Sequence, residues 1–182
     1  MSDAVPTAID GLLAEIAAGV WFAACGETLT AGERHEIRRL AAALGFAAVP
    51  IVALDAWQAA AQVAQRPDWS REWWEREAAE AARLRTFATA ALGADPLMTG
   101  LSRIALAASS LVGAAALSLA RGGIADEALE RVAAGAAAHA CHQAGLAREA
   151  AQPADHVFAV KFRLYAAGRW PLGIVGGQFF VL

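Results

Sequence analysis

The sequence predicts an α+β fold that is mostly α, a bundle of about six alanine-rich helices with a C-terminal antiparallel β-hairpin packed against it. Alanine, the strongest helix former, dominates residues 1–152, and apolar residues recur there at helical spacing. From residue 153 onward, apolar and polar residues alternate, which is typical of strands. The 182 residues suit a single domain (1–182), with a helical body at 1–152 and the hairpin at 153–182.

Six segments of the body have helical periodicity or helix start and stop signals. The clearest signal is the capping box Thr30-Ala31-Gly32-Glu33, in which the Thr30 hydroxyl accepts from the Glu33 amide and Glu33 reaches back to residue 30. Pro50 suits the first turn of the third helix. The predicted helices span residues 7–22, 30–44, 50–65, 70–92, 102–120 and 125–150.

The C-terminal segment predicts two strands. The first runs over residues 157–165, because Phe158, Val160, Phe162 and Leu164 alternate with more polar neighbours. A turn at 167–171 leads to the second strand, 172–182, in which Gly176-Gly177 indicates a bulge or a close backbone contact. The chain ends Phe-Phe-Val-Leu, and we expect this apolar terminus to be inserted into the core.

The segment between Arg103 and Arg121 carries no charge. Its length is at the lower limit for a membrane-spanning helix. It consists mainly of Ala, Ser and Gly, with few large apolar residues and no basic cluster on one side. We therefore predict a buried central helix, with a membrane span as the alternative.

Composition constrains the partners and the compartment. The net charge is −3 and arginines do not collect on one face, so we expect no nucleic-acid partner. Cys25 and Cys141 are far apart in sequence and are predicted to be free thiols. The N-terminus has no basic region typical of a signal peptide, which predicts a cytoplasmic protein. The absence of asparagine and the single lysine suggest a GC-rich bacterial genome.

His139 and His142 form the strongest candidate metal site. They are three residues apart on the sixth predicted helix, a spacing at which both side chains can bind one ion. A further ligand would have to come from His35 or another distant residue. Two nitrogen ligands do not complete a zinc site, so a polar seam in the bundle is the favoured interpretation. We expect no metal and no cofactor.

The turn residues Arg169 and Trp170 are the most prominent candidates for a binding surface. Trp and Arg are enriched among the residues that dominate protein interfaces. Lys161, Arg163 and Tyr165 would form a second strip on the open face of the predicted hairpin. For Trp170 itself a structural role is the favoured interpretation, in which its ring folds back on the helices and anchors the hairpin.

No catalytic motif is present, which favours a non-enzymatic function. The sequence lacks a phosphate-binding loop, a dinucleotide fingerprint, a serine elbow and an HExxH motif. The leading hypothesis is therefore a small bacterial protein–protein interaction protein, such as an immunity or antidote-type inhibitor or an adaptor, with a protein partner and no membrane. The alternative is a metal- or small-ligand-dependent helical enzyme that uses the helix of His139 and His142. A homodimer is compatible with both.

Overall fold

The computed structural model describes residues 8–122 and 126–182. Within these ranges the chain forms seven helices and a small three-stranded sheet, which confirms the predicted α+β, mostly α class. The elements are α1 (Ala8–Ala18), α2 (Ala31–Ala43), β1 (Ile51–Ala53), α3 (Trp57–Ala64), α4 (Arg71–Leu92), α5 (Ala94–Arg121), α6 (Glu127–Glu149), α7 (Val157–Ala166), β2 (Pro171–Val175) and β3 (Gln178–Val181).

The start of α2 has the predicted capping box. The Glu33 amide donates to Thr30 Oγ1 at 3.2 Å, and the Thr30 amide donates to Glu33 Oε2 at 2.7 Å. Both bonds satisfy backbone donors that the first turn of a helix leaves without an intrahelical partner. This element is local in sequence, so the pattern of four residues is sufficient to predict it.

The third predicted helix begins later than expected, and Pro50 is not part of it. Residues Ile51–Ala53 form β1, which pairs in parallel with β3, and α3 begins only at Trp57. The β-branched Ile51 and Val52 favour an extended backbone, and the distant β3 supplies hydrogen-bond partners.

The prediction of a strand at 157–165 is wrong, because this segment is the helix α7. His156 caps it by accepting a hydrogen bond from the Phe158 amide at Nδ1, at 3.2 Å. Apolar residues at every second position also contain pairs four apart, so the same letters are compatible with a helix that is covered on several sides. The buried residues of α7 are Val157, Phe158, Val160, Lys161, Phe162, Leu164 and Tyr165.

The C-terminal hairpin consists of β2 and β3, joined at Gly176-Gly177. Both glycines have positive φ, at 55° and 74°, as a two-residue turn between twisted antiparallel strands requires. The strand order is β1-β3-β2, so β3 lies in the centre and is paired on both edges. Phe179, Phe180, Val181 and Leu182 are at most 5% exposed, which confirms that the apolar terminus lies in the core.

The long antiparallel pair α5–α6 forms the centre of the helical body. α1 packs against both of these helices, and α7 packs between α6 and α2. Gly145 of α6 lies in a close contact with α5, since a Cβ there would lie 2.3 Å from Ile104 Cδ1 and 3.3 Å from Leu101 Cδ2. The missing side chain at this position thus lets α6 pack closely against α5.

The connection from α7 to β2 depends on Gly168, and this leads to the first prediction. Gly168 has φ +91°, and a Cβ on it would lie 2.7 Å from the Ala24 amide nitrogen. Gly168→Ala should therefore lower the free energy of unfolding by about 1–3 kcal/mol from backbone conformation alone, with the steric contact adding to that loss.

Chemical denaturation checks this prediction, and Gly113→Ala in α5 is the matched control. A Cβ on Gly113 meets nothing within 4 Å, so this variant should be stabilised by up to about 1 kcal/mol. Equal stability of the two variants would contradict the packing described for Gly168.

Candidate functional site

The predicted binding tip at Arg169 and Trp170 is buried, so the prediction of an exposed Arg–Trp surface is wrong. Each residue is 3% exposed. The Trp170 ring packs against Trp57 with ring centroids 5.5 Å apart, and the Trp170 amide donates to the Leu182 carbonyl at 2.8 Å. Because α7 replaces the predicted first strand, this turn faces the helices rather than solvent. Trp170 therefore has the structural role that the sequence analysis favours for it.

Arg169 holds three parts of the chain together. Its Nε donates to Glu33 Oε1 at 2.6 Å and one Nη2 hydrogen reaches Glu33 Oε2 at 3.2 Å. The remaining hydrogens reach the carbonyls of Ala24, of Glu27 at 2.8 Å and of Thr28 at 3.1 Å. A guanidinium group has five N–H donors, and all five are used. No donor of Arg169 is left for a partner.

Glu33 links this contact to the start of α2, since it is also the acidic member of the capping box. Burial raises the pKa of the Glu33 carboxyl, but hydrogen bonds from Arg169 and Thr30 outweigh burial and lower it to about 2. The carboxylate therefore stays ionised over the whole neutral and mildly acidic range.

The predicted strip of Lys161, Arg163 and Tyr165 does not form. Lys161 is 6% exposed and its Nζ donates to Glu77 Oε1 at 2.6 Å, while Tyr165 is 2% exposed and donates to the Pro171 carbonyl at 3.2 Å. Arg163 points outward and pairs with Glu36 Oε2 at 2.6 Å. The helical geometry of α7 sends Lys161 and Tyr165 inward on the same side, four residues apart.

The histidines do not gather a set of metal ligands. Among residues 8–122 and 126–182, no group of three or more His, Cys, Asp or Glu side chains is placed to hold an ion, so His35 does not join His139 and His142. His142 Nε2 lies 3.3 Å from an Arg85 nitrogen. Between the two histidines, Cys141 is a buried free thiol whose pKa burial raises to about 12. Within the described residues the two histidines therefore gain no third ligand, and the Cys141 thiol stays protonated at neutral pH.

The sequence predicts that the helix at 102–120 is buried, and this prediction is wrong for the outward face of α5. The predicted buried central helix buries only one stripe, which consists of Leu97, Gly100, Leu101, Ile104, Ala108, Val112 and Ala116. Leu106 lies on the opposite side and is 75% exposed. Leu117, about three turns further along, lies on the same side and is 42% exposed.

We name this face the α5 outer stripe and define it by Ser102, Leu106, Ser110, Gly113 and Leu117. It contains no charged residue. Further large apolar side chains are exposed on α5 and its two neighbours, namely Phe87 at 55%, Leu92 at 42%, Met98 at 53% and Val132 at 55%. An exposed apolar surface of this kind is typical of a site that another molecule covers.

α5 is also long and apolar enough to cross a bilayer, judged by length and composition. Its most apolar 18-residue window has a mean hydropathy of 1.6, and 22% of that window is buried. The sequence signal for the outer stripe was the uncharged run between Arg103 and Arg121. The sequence alone does not show which side of this helix the rest of the chain covers.

Comparison with known proteins gives no relative. No protein-family model matches the chain, and no curated protein and no solved structure is significantly similar to it. Function is therefore inferred from the geometry of this chain alone.

Arg169 gives the second prediction. Arg169→Met removes five hydrogen bonds and leaves the Glu33 carboxylate without its counter-ion, so the free energy of unfolding should fall by about 3–5 kcal/mol. Arg163→Met is the matched control, because Arg163 is partly exposed and its loss should cost no more than about 1 kcal/mol. Urea denaturation measures both, and a loss below about 1 kcal/mol for Arg169→Met would contradict the role described here.

Glu33 gives the third prediction, which concerns acid. Its folded pKa of about 2 lies below the usual 4.5, so its stabilisation is fully present above about pH 4.5 and is lost as the pH falls towards 2. Glu33→Gln removes this titrating group. Its free energy of unfolding should therefore fall less steeply between about pH 4.5 and pH 2 than that of the wild type.

Thermal denaturation between pH 5 and pH 2 measures the slope, with Glu75→Gln as the control. Glu75 is an exposed partner of Arg71, so its replacement should leave the slope close to that of the wild type. If Glu33→Gln keeps the wild-type slope as well, the ionic contact with Arg169 does not govern acid stability.

Proposed function

We propose that this chain is a non-enzymatic protein–protein interaction protein and that the α5 outer stripe is its contact surface. One observation carries the proposal, namely the 75% exposure of Leu106 on a helix face that has no charge. A helix at the surface of a water-soluble body usually carries charged residues on the face away from the core. A helix that is apolar on both faces is instead typical of one that is covered on both sides.

The partner that fits this surface is a helix with an apolar, uncharged face. Leu106 and Leu117 project as ridges about three turns apart, and Ser110 and Gly113 between them leave room for the partner's backbone. A Cβ on Gly113 would meet nothing within 4 Å, so that position is an open depression in the surface. The lack of charge favours contact through shape and apolar burial rather than through electrostatic steering.

The stripe has a symmetry that also suits a second copy of the chain. In an antiparallel pair of α5 helices, Leu106 would face Leu117 of the other copy and Ser110 would face its Gly113. Such an isologous contact places small residues at the centre and leucines at both ends. A homodimer and a complex with a different protein would use the same surface, and the oligomeric state separates them.

Within the class of interaction proteins, we propose a bacterial cytoplasmic adaptor or immunity-type inhibitor. Support comes from the small size and the net charge of −3. In addition, Lys161 and Arg169 near the C-terminus form ion pairs within the chain. Hydrogen bonds within the chain engage Arg169, Lys161 and Tyr165. A catalytic role for these side chains would therefore compete with contacts that stabilise the fold.

Charge introduced into the stripe gives the fourth prediction. Leu106→Glu and Leu117→Glu place a carboxylate where the partner's apolar face would lie, so each should weaken association at least tenfold. The monomers should keep their melting temperature to within a few degrees, because neither side chain is buried. Light scattering after size-exclusion chromatography measures self-association, and co-purification from the host lysate followed by titration with the identified partner measures a hetero-complex.

Val20→Glu is the control, since Val20 is likewise a large apolar residue, 56% exposed, but lies outside α5. It should associate like the wild type. The proposal fails if the wild type stays a monomer without a saturable protein partner, or if Leu106→Glu binds as tightly as the wild type. Binding to lipid vesicles in place of protein would also overturn it and assign α5 to a membrane.

A further inference from the structure

A second feature, separate from the α5 outer stripe, is a cavity of about 240 Å³ between α4, α6, α7 and β2. It is lined mainly by apolar and aromatic side chains, with two basic residues among them. The lining consists of Leu40, Trp73, Trp74, Gly135, Ala136, His139, Lys161, Tyr165, Pro171, Leu172 and Gly173.

The exposure of the lining residues shows which end of the cavity is open. Trp74 is 45% exposed, and Gly135 and His139 also face solvent, so the mouth lies between α4 and α6. Lys161 and Tyr165 are nearly inaccessible from outside and form the floor. Trp73 and Trp74 are adjacent in sequence, yet Trp73 is 2% exposed and belongs to the core. The cavity therefore has an aromatic entrance and a polar floor.

The polar floor has unused hydrogen-bonding capacity. An ammonium group has three N–H donors, and within the described residues Lys161 uses one, on Glu77 Oε1 at 2.6 Å. Glu77 is 3% exposed, and its second oxygen, Oε2, is buried without a hydrogen-bond partner. Glu77 is not among the lining residues, and its charge offsets that of Lys161, so the floor presents N–H donors without a net charge.

His139 at the rim adds a neutral polar group. Partial burial, and next the nearby Lys161 ammonium, lower the pKa of His139 below its usual 6.5, although Glu77 acts in the opposite direction. The imidazole is therefore uncharged at neutral pH. With a neutral rim and a neutral ion pair below it, the site has nothing to balance the charge of an anion.

We propose that this cavity binds a small, uncharged aromatic molecule whose single hydrogen-bond acceptor, such as a ketone oxygen, accepts from Lys161. The size fits one ring with a short substituent. A cavity of about 150 Å³ accommodates benzene, whereas drug-sized ligands occupy about 300–1,000 Å³. Trp73 and Trp74 supply aromatic surface for the ring. A carboxylate of the same size is disfavoured, because it would place a second negative charge near Glu77.

Three probes of nearly equal shape test this ligand class by isothermal titration calorimetry. Acetophenone has the ring and the acceptor, cumene has the ring alone, and benzoate has the ring and a charge. The wild type should bind acetophenone up to about tenfold more tightly than cumene, as one hydrogen bond allows. It should bind benzoate most weakly. Preference for benzoate, or the absence of saturable binding of both acetophenone and cumene, would overturn the proposal.

Filling the cavity tests its location. A Cβ on Gly135 meets nothing within 4 Å, so Gly135→Leu can enter the mouth without disturbing α6 and should abolish binding of acetophenone and cumene. Ala136→Leu fills the same space and serves if Gly135→Leu fails to fold. Gly32→Leu, on the exposed start of α2, is the control and should bind both probes like the wild type. Unchanged binding by the filled variants would overturn the proposal.

A double variant tests the role of Lys161 without leaving a buried charge alone. Lys161→Met combined with Glu77→Leu replaces the ion pair by apolar side chains of similar size, a change that buried pairs often tolerate. Cumene should still bind, while the preference for acetophenone should be lost. If the double variant keeps that preference, Lys161 is not the donor and the proposal fails. Leu106→Glu should leave probe binding unchanged, since the α5 outer stripe is a separate surface.

Discussion

The buried guanidinium of Arg169 is the interaction on which the rest of the structure depends. It lies just beyond the end of α7 and joins the connection between α1 and α2 to the capping box of α2, with three hydrogen bonds to the connection and two to Glu33. Because Glu33 balances its charge, the guanidinium can be buried without an isolated ion. The C-terminal segment is thereby part of the framework of the fold. Its last strand, β3, lies in the centre of the sheet, between β1 and β2.

This internal use of charge determines where a partner can bind. Arg169, Tyr165 and Trp170 near the C-terminus use their donors or their ring surface in contacts within the chain, so they offer no exposed surface to a protein partner. The α5 outer stripe has the opposite character, since Leu106 is 75% exposed and the stripe contains no charged residue. The cavity above Lys161 differs from both, because it combines a buried donor with space for a small molecule. A surface for a macromolecule and a site for a small ligand thus lie on different elements of one fold.

The sequence predicts those elements whose signals are local, and it fails where the decisive contact is distant. The capping box of Thr30 and Glu33 needs four residues and is confirmed. The sequence predicts a helix where the structure has β1, because the strand depends on pairing with Phe179, over 120 residues away. In α7, Phe158, Val160 and Phe162 fit both periods, and only packing on α2 and α6 selects the helix. Likewise, the uncharged run of α5 is visible in the sequence, but the side that stays uncovered depends on where α1 and α6 pack.

Native-state hydrogen exchange tests most directly whether the C-terminal segment is framework. The amide of Leu182 donates to the Trp170 carbonyl at 3.0 Å, and the amide of Phe179 donates to the Pro50 carbonyl at 2.8 Å. Segments that are not integrated into the framework of a fold usually open locally with almost no cost. If Arg169 and the central position of β3 integrate this segment, both amides should exchange only on global unfolding, with the same free energy as the core of α6. Exchange of Leu182 and Phe179 through a low-energy local opening would contradict this account.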